Sequence, residues 1–176
     1  LPLLLDTEDS RIVNVSSNAH KFGRMRWKDL HHSRGYSPWP VYGQSKLSNL
    51  LFSLGLDIRL RESRAKCLVA TGHPGYASTN LVFAAPKMKG SALMETLGAW
   101  SNRYFAQDAA TGALPQLYAA AGPDVAGNDY FGPDGFMEVW GGPRQVGRTK
   151  AAMDTEAAER LWEISEELTG VRYAFP

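Results

Sequence analysis

The sequence is short of cysteine, of net charge and of long apolar runs, and each shortage removes a class of function. Its single cysteine, Cys67, forbids an intrachain disulfide; set in an apolar stretch, it reads as a core residue of a protein in a reducing, cytoplasmic setting. Lysine and arginine together number 19 against 18 acidic residues, a net charge of +1, so there is no electrostatic footprint for nucleic acid or for an anionic membrane. The leading run Leu1-Pro2-Leu3-Leu4-Leu5 is too short to span a bilayer, has no basic residue before it and runs straight into Asp6, so neither signal nor anchor is expected. Metal-ligand spacing is missing too: His20 and the pair His31-His32 match no signature, and no cysteine or acidic cluster completes a shell. The glycine-rich run 132–147 has no phosphate-loop spacing and reads as a loop.

What is present is the composition of an ordinary globular protein: hydrophobic residues at 44%, charged at 21% and aromatic at 11% in 176 residues, enough for one domain with a real core. Small-molecule work fits that balance best. The chain is organised around Val41-Tyr42-Gly43-Gln44-Ser45-Lys46-Leu47, which opens an apolar-periodic stretch expected to be helical over 41–61. Residues i and i+4 lie one above the other on a helix, so Tyr42 and Lys46 face one space. A phenol is protonated at neutral pH and cycles poorly as an acid-base group until a nearby fixed cation favours the phenolate, and Lys46 is placed to be that cation. The same spacing also describes an interfacial tyrosine beside a solvated lysine. Upstream, residues 11–17 form a β-branched run that reads as a buried strand delivering Ser17 at its carboxyl end. Downstream, 65–71 reads as a second buried strand that stops in the turn Gly72-His73-Pro74-Gly75. Strand, helix, strand is the βαβ unit, whose ligands sit beyond the carboxyl ends of the strands.

These residues resemble the short-chain dehydrogenase/reductase family, and within it the retinol-dehydrogenase-like branch. The resemblance rests on Val13-Asn14-Val15-Ser16-Ser17, then Tyr42-Gly43-Gln44-Ser45-Lys46, then His73-Pro74-Gly75-Tyr76-Ala77-Ser78-Thr79, in the family's order. The long segment 18–40, with Phe22-Gly23, Trp27-Lys28-Asp29-Leu30 and Tyr36, is similar to the insert that branch carries between serine and tyrosine. The resemblance implies an α/β fold: a Rossmann-like parallel sheet with flanking helices. Nothing matches the family's glycine-rich turn, its ribose-reading residue or its Asn-Asn-Ala-Gly segment, so the first cofactor-binding half is lacking and 1–176 would be the carboxyl-terminal part of one such domain. By resemblance, Ser17, Tyr42 and Lys46 are catalytic. Asn14, Tyr42, Lys46, Pro74, Gly75 and Thr79 would lie against a nicotinamide cofactor, NADP with NAD left open. The reaction implied is hydride transfer between that cofactor and a carbonyl or alcohol of a small apolar substrate.

The remaining stretches carry further expectations. Segment 18–40 reads as a surface excursion anchored by Phe22, Trp27, Leu30 and Trp39. On the helix over 42–61, Leu47, Leu50, Leu51, Leu54 and Ile58, with Phe52, Leu56 and Leu60, make an apolar surface wider than one sheet contact needs; this leaves core packing and a homodimer through the helix as alternatives. Residues 80–105 read as a helical lid over an apolar substrate or as core. Asp108 is expected to cap a helix with Leu114, Leu117 and Tyr118 as its apolar positions, 129–132 to be a third strand, and a helix after Asp154 to cover the sheet with Leu161, Trp162, Ile164 and Leu168. Two other readings stay open: a non-catalytic interaction module with an exposed sheet edge, and an epimerase or dehydratase on the same scaffold.

Overall fold

The computed structural model of the chain describes residues 1–76 and 107–175. A one-turn helix α1 (Pro2–Leu5) leads to strand β1 (Arg11–Val15), a 3₁₀ turn over Asn18–Phe22 and the long helix α2 (Pro38–Glu62). Strand β2 (Leu68–Gly72), helix α3 (Ala109–Ala121), strands β3 (Tyr130–Pro133) and β4 (Pro143–Gln145), and helix α4 (Thr155–Thr169) complete it. The sheet is four-stranded in the order β1-β2-β3-β4. β1, β2 and β3 run parallel, and β4 is antiparallel to β3. This is the α/β, Rossmann-like arrangement expected from the sequence, with one more strand than expected. The Gly/Pro-rich run 132–147 contains the edge strand β4, which pairs Pro133 with Pro143 and Phe131 with Gln145; prolines are tolerated at such an edge because only one side of the strand needs donors.

Alternation along the strands sorts the core into two layers. Ile12 and Val69 pack beneath α2 with Leu56 and Leu60, while Val13, Leu68, Ala70 and Phe131 face the other way, onto Ala119 and Tyr118 of α3. α2 is 25 residues long and starts a turn earlier than expected, at Pro38. Its prolines cost nothing there, since the first N–H groups of a helix have no intrahelical partner. The sheet packs on one side of its apolar surface and α4 on another, with Phe52 stacked on Trp162 at 5.4 Å and Arg59 over the same indole at 4.2 Å.

α4 begins at its Asp154 cap and stops at Gly170, in the left-handed region at φ 69. α3 begins at its Asp108 cap, as expected, but of its expected apolar positions only Tyr118 packs on the sheet. Gly112, Pro115 and Ala119 are buried against the sheet, whereas Leu114 and Leu117 are 39% and 59% exposed. Small residues win the inner face because the helix lies almost on the strand: a Cβ at Gly72 would come within 3.1 Å of the Gln116 backbone.

Candidate active site

The site is assembled by one stripe of α2. Asn14 Nδ2 donates to Ser53 Oγ at 2.8 Å, Asn49 Nδ2 donates to the Val15 carbonyl at 2.8 Å, and Ser16 Oγ donates to the Lys46 carbonyl at 2.8 Å. Residues 53, 49 and 46 follow one helix face at intervals of four and three, so α2 runs antiparallel to β1 with 14, 15 and 16 opposite them in turn. The next residue of the stripe, four positions before Lys46, is Tyr42. Packing closes the junction. A Cβ on Gly43 would come within 3.1 Å of the Ala19 carbonyl and 2.8 Å of the Phe22 ring, so the turn after Ser17 lies directly on the first turns of α2.

Within this junction Ser17 is held from several sides. Its carbonyl accepts from the His20 N–H at 3.1 Å and meets His20 Nδ1 at 2.7 Å, and its Oγ accepts from the Ala19 N–H at 3.2 Å. With the oxygen already accepting, the Ser17 O–H is free to donate outward, as stabilising a substrate oxygen requires. Tyr42 is half-buried, with Trp39 edge-on at 6.4 Å. Lys46 Nζ lies 5.5 Å from the centre of the Tyr42 ring, one helical turn away. Burial draws the Lys46 ammonium below the ordinary lysine value, and among the described residues no carboxylate pairs with it. An unpaired, half-buried cation is a demand for a ligand.

The turn after β2 forms the opposite wall. Gly75 has φ +63, and a Cβ there would run into the Val139 carbonyl, so glycine is required by backbone conformation and by the protein's own packing. Tyr76 N–H donates to the Val139 carbonyl at 2.8 Å, and Gln107 Nε2 donates to the Pro74 carbonyl at 2.6 Å. Gly75 N–H donates to Nδ1 of His73, a fully buried ring whose Nε2 lies 3.2 Å from Glu138 Oε2. That approach is close but off the line of a hydrogen bond. Burial pushes His73 down to about 4, against the opposing pull of Glu138.

Tyr42 and Lys46 thus share one face of α2, Ser17 caps the turn that packs on the first turns of that helix, and Pro74 and Gly75 stand beyond the carboxyl end of β2. Asn14 Nδ2 is bonded to Ser53, which also accepts from Thr71 Oγ1 at 2.9 Å, so Asn14 belongs to a polar network tying β1, α2 and β2. Thr79, and the lid expected at 80–105, lie outside the described residues. Sequence reading missed Asn49, Ser53 and Gln44. Gln44 Oε1 accepts from the Arg26 N–H at 2.9 Å and lies 3.2 Å from His32 Nε2, and Gln44 Nε2 donates to the Leu30 carbonyl at 2.9 Å, pinning the excursion to α2. The signal was there to be read: polar residues at 46, 49 and 53 on an apolar helix. Among the described residues no group of three or more His, Cys, Asp or Glu side chains is arranged to hold a metal ion, and no helix is long and apolar enough to cross a membrane.

No protein-family model matches the chain. Curated proteins do. Mouse (Mus musculus) retinol dehydrogenase 14 is 33% identical over 97% of this chain and 48% of its own length. A protein of Streptomyces antibioticus named "Probable oxidoreductase" is 33% identical over 93% of this chain and 56% of its own. Among solved structures, an uncharacterized protein from Mycobacterium paratuberculosis superposes with a TM-score of 0.68 at 35% identity, over 96% of this chain and 52% of that one. The chain spans about half the length of the curated relatives it matches. Over that half, on a mostly parallel sheet flanked by helices, the chain belongs to the retinol-dehydrogenase-like branch of the short-chain dehydrogenases/reductases.

Proposed function

We propose that this chain carries the catalytic half of a nicotinamide-dependent oxidoreductase acting on a carbonyl or alcohol of a small apolar substrate. The observation that carries the reading is the pair of Tyr42 and the unpaired Lys46 ammonium one helical turn apart, on a stripe of α2 bonded to Asn14, Val15 and Ser16 at the end of β1. The residues fit the cofactor: Lys46 offers a cation for ribose hydroxyls, and the Pro74-Gly75 turn offers a fixed wall. The bound nicotinamide would supply a hydride in reduction or accept one in oxidation. Tyr42 would give its phenolic proton to the substrate oxygen in reduction and take it back in oxidation, with the Lys46 ammonium one helical turn away. Ser17 donates its O–H to the same oxygen and stabilises the charge that develops there. NADP is favoured over NAD on the family resemblance alone, and a reducing, cytoplasmic setting suits the buried thiol of Cys67.

The test is turnover of an apolar aldehyde with NADPH or NADH by the chain and its Tyr42→Phe variant. A positioned general acid contributes roughly 100-fold or more, so the variant should lose about that much while still binding cofactor. Near-normal turnover in Tyr42→Phe removes the assignment. A second reading, an interaction module with idle motifs, is favoured by one observation: among the described residues β1 pairs only with β2, and none lies along its other edge as a strand. Sedimentation separates the two, since a monomer that binds cofactor contradicts the module.

A further inference from the structure

One short segment touches both walls of the site. Met137 and Glu138 stand in the left-handed region at φ 51 and φ 58, a conformation that non-glycine residues adopt only when their surroundings over-determine it. Here the surroundings do. The carbonyl of Met137 accepts from Asn18 Nδ2 at 3.0 Å and that of Glu138 accepts from the same amide at 3.3 Å, so the segment is fastened to the residue after Ser17. Val139, next along, accepts from the Tyr76 N–H and fills the space beside Gly75. The Glu138 side chain repeats the same bridge: its Oε2 is 3.1 Å from Lys21 Nζ on the Ser17 side and 3.2 Å from His73 Nε2 on the other. The carboxylate is only 16% exposed, against 43% for Lys21.

We propose that Glu138 is a positioning residue of the site, tying the Ser17 loop through Lys21 to the His73-Pro74-Gly75 turn and so setting the spacing between the serine hydroxyl and the cofactor-facing wall. This rests on the oxidoreductase reading above. Glu138 touches neither Tyr42 nor the reacting atoms; it acts through Lys21 and His73. Because Nδ1 of His73 accepts from Gly75, the neutral ring carries its proton on Nε2, facing Glu138, and a carboxylate there selects that tautomer.

The test compares the chain with its Glu138→Ala and Glu138→Gln variants by residue-resolved hydrogen exchange, by imidazole nitrogen spectra of His73, and by turnover with NADPH. In Glu138→Ala, exchange at 18–22 and at 75–76 should both rise about tenfold while the α2 core at 47–54 keeps its protection. His73 should lose its single Nε2-protonated tautomer. kcat should fall roughly tenfold or more with the cofactor KM little changed, as small misplacements of catalytic groups do. Glu138→Gln, which keeps a side-chain oxygen beside His73 Nε2 without the charge, should retain part of the tautomer preference and recover part of kcat. Exchange unchanged at either loop, or raised uniformly through the core, overturns the tie. A wild-type chain that shows no turnover overturns the oxidoreductase reading and the catalytic role of Glu138 with it, and the exchange data distinguish that outcome from failure of the tie.

Discussion

His73 has no exposed surface, and the charges near it come from Glu138, Lys21 and His20. Burial outweighs the favourable carboxylate, so the ring stays neutral in the fold down to about pH 4. An unfolded histidine takes up its proton near 6.5. Between those values the unfolded chain binds more protons than the folded one, so stability is lost as pH falls through that window and is full above it. A shift of this size corresponds to roughly 3 kcal/mol. His20, also lowered by burial, acts in the same direction. Urea unfolding at pH 7 and pH 4.5 should therefore show a marked drop, and His73→Asn should flatten it; a profile equally steep in the variant would remove His73 as the cause. The left-handed pair Met137 and Glu138 is the other costly feature at this scale, at roughly 1 to 2 kcal/mol per residue. Neither feature is visible in a motif, because each depends on where distant segments meet.

α2 is the element that makes the site, and its register rests on the Asn14–Ser53–Thr71 network. Ser53 is fully buried and shared by both partners. Ser53→Ala removes that sharing and should cost about 1 to 3 kcal/mol, read as a lower urea midpoint with unchanged slope. A loss below about 0.5 kcal/mol, no more than an ordinary surface substitution, would mean that the apolar packing of Leu47, Leu50 and Leu51 alone holds the register. Legibility varied with the element. The 3.6-residue periodicity of α2 and the β-branched run of β1 could be read directly; α4 was legible as a helix, but it packs chiefly on α2 rather than on the sheet and leaves Leu168 60% exposed. α3 could not be read correctly, because a helix lying against strands hides small residues and leaves leucines outside. β4 is three residues of Pro, Arg and Gln held by pairing with a single strand, and nothing in its composition distinguishes it from the loop around it.

For the whole molecule, the parallel order β1-β2-β3 places Ser17, Tyr42 and the His73 turn at one end of the sheet, where ligands bind in such folds. The linked order of serine, tyrosine-lysine and His-Pro-Gly was legible through its resemblance to the family's motifs, since the spacing of Tyr42 and Lys46 alone also describes an ordinary helix face. The binding of those ends into one site by Gln107, Val139 and Glu138 was not legible, since these residues come from segments whose folds follow from the packing of others. Titration of the purified chain with NADPH and NADH, followed by nicotinamide fluorescence beside Lys46→Ala and Tyr42→Phe, tests the central claim most directly. The account predicts saturable binding by the wild type, kept in Tyr42→Phe and weakened about tenfold or more in Lys46→Ala, about what loss of one charge-assisted hydrogen-bond partner removes. A folded wild-type chain that binds neither cofactor, or a Lys46→Ala variant that binds as tightly as wild type, would contradict it.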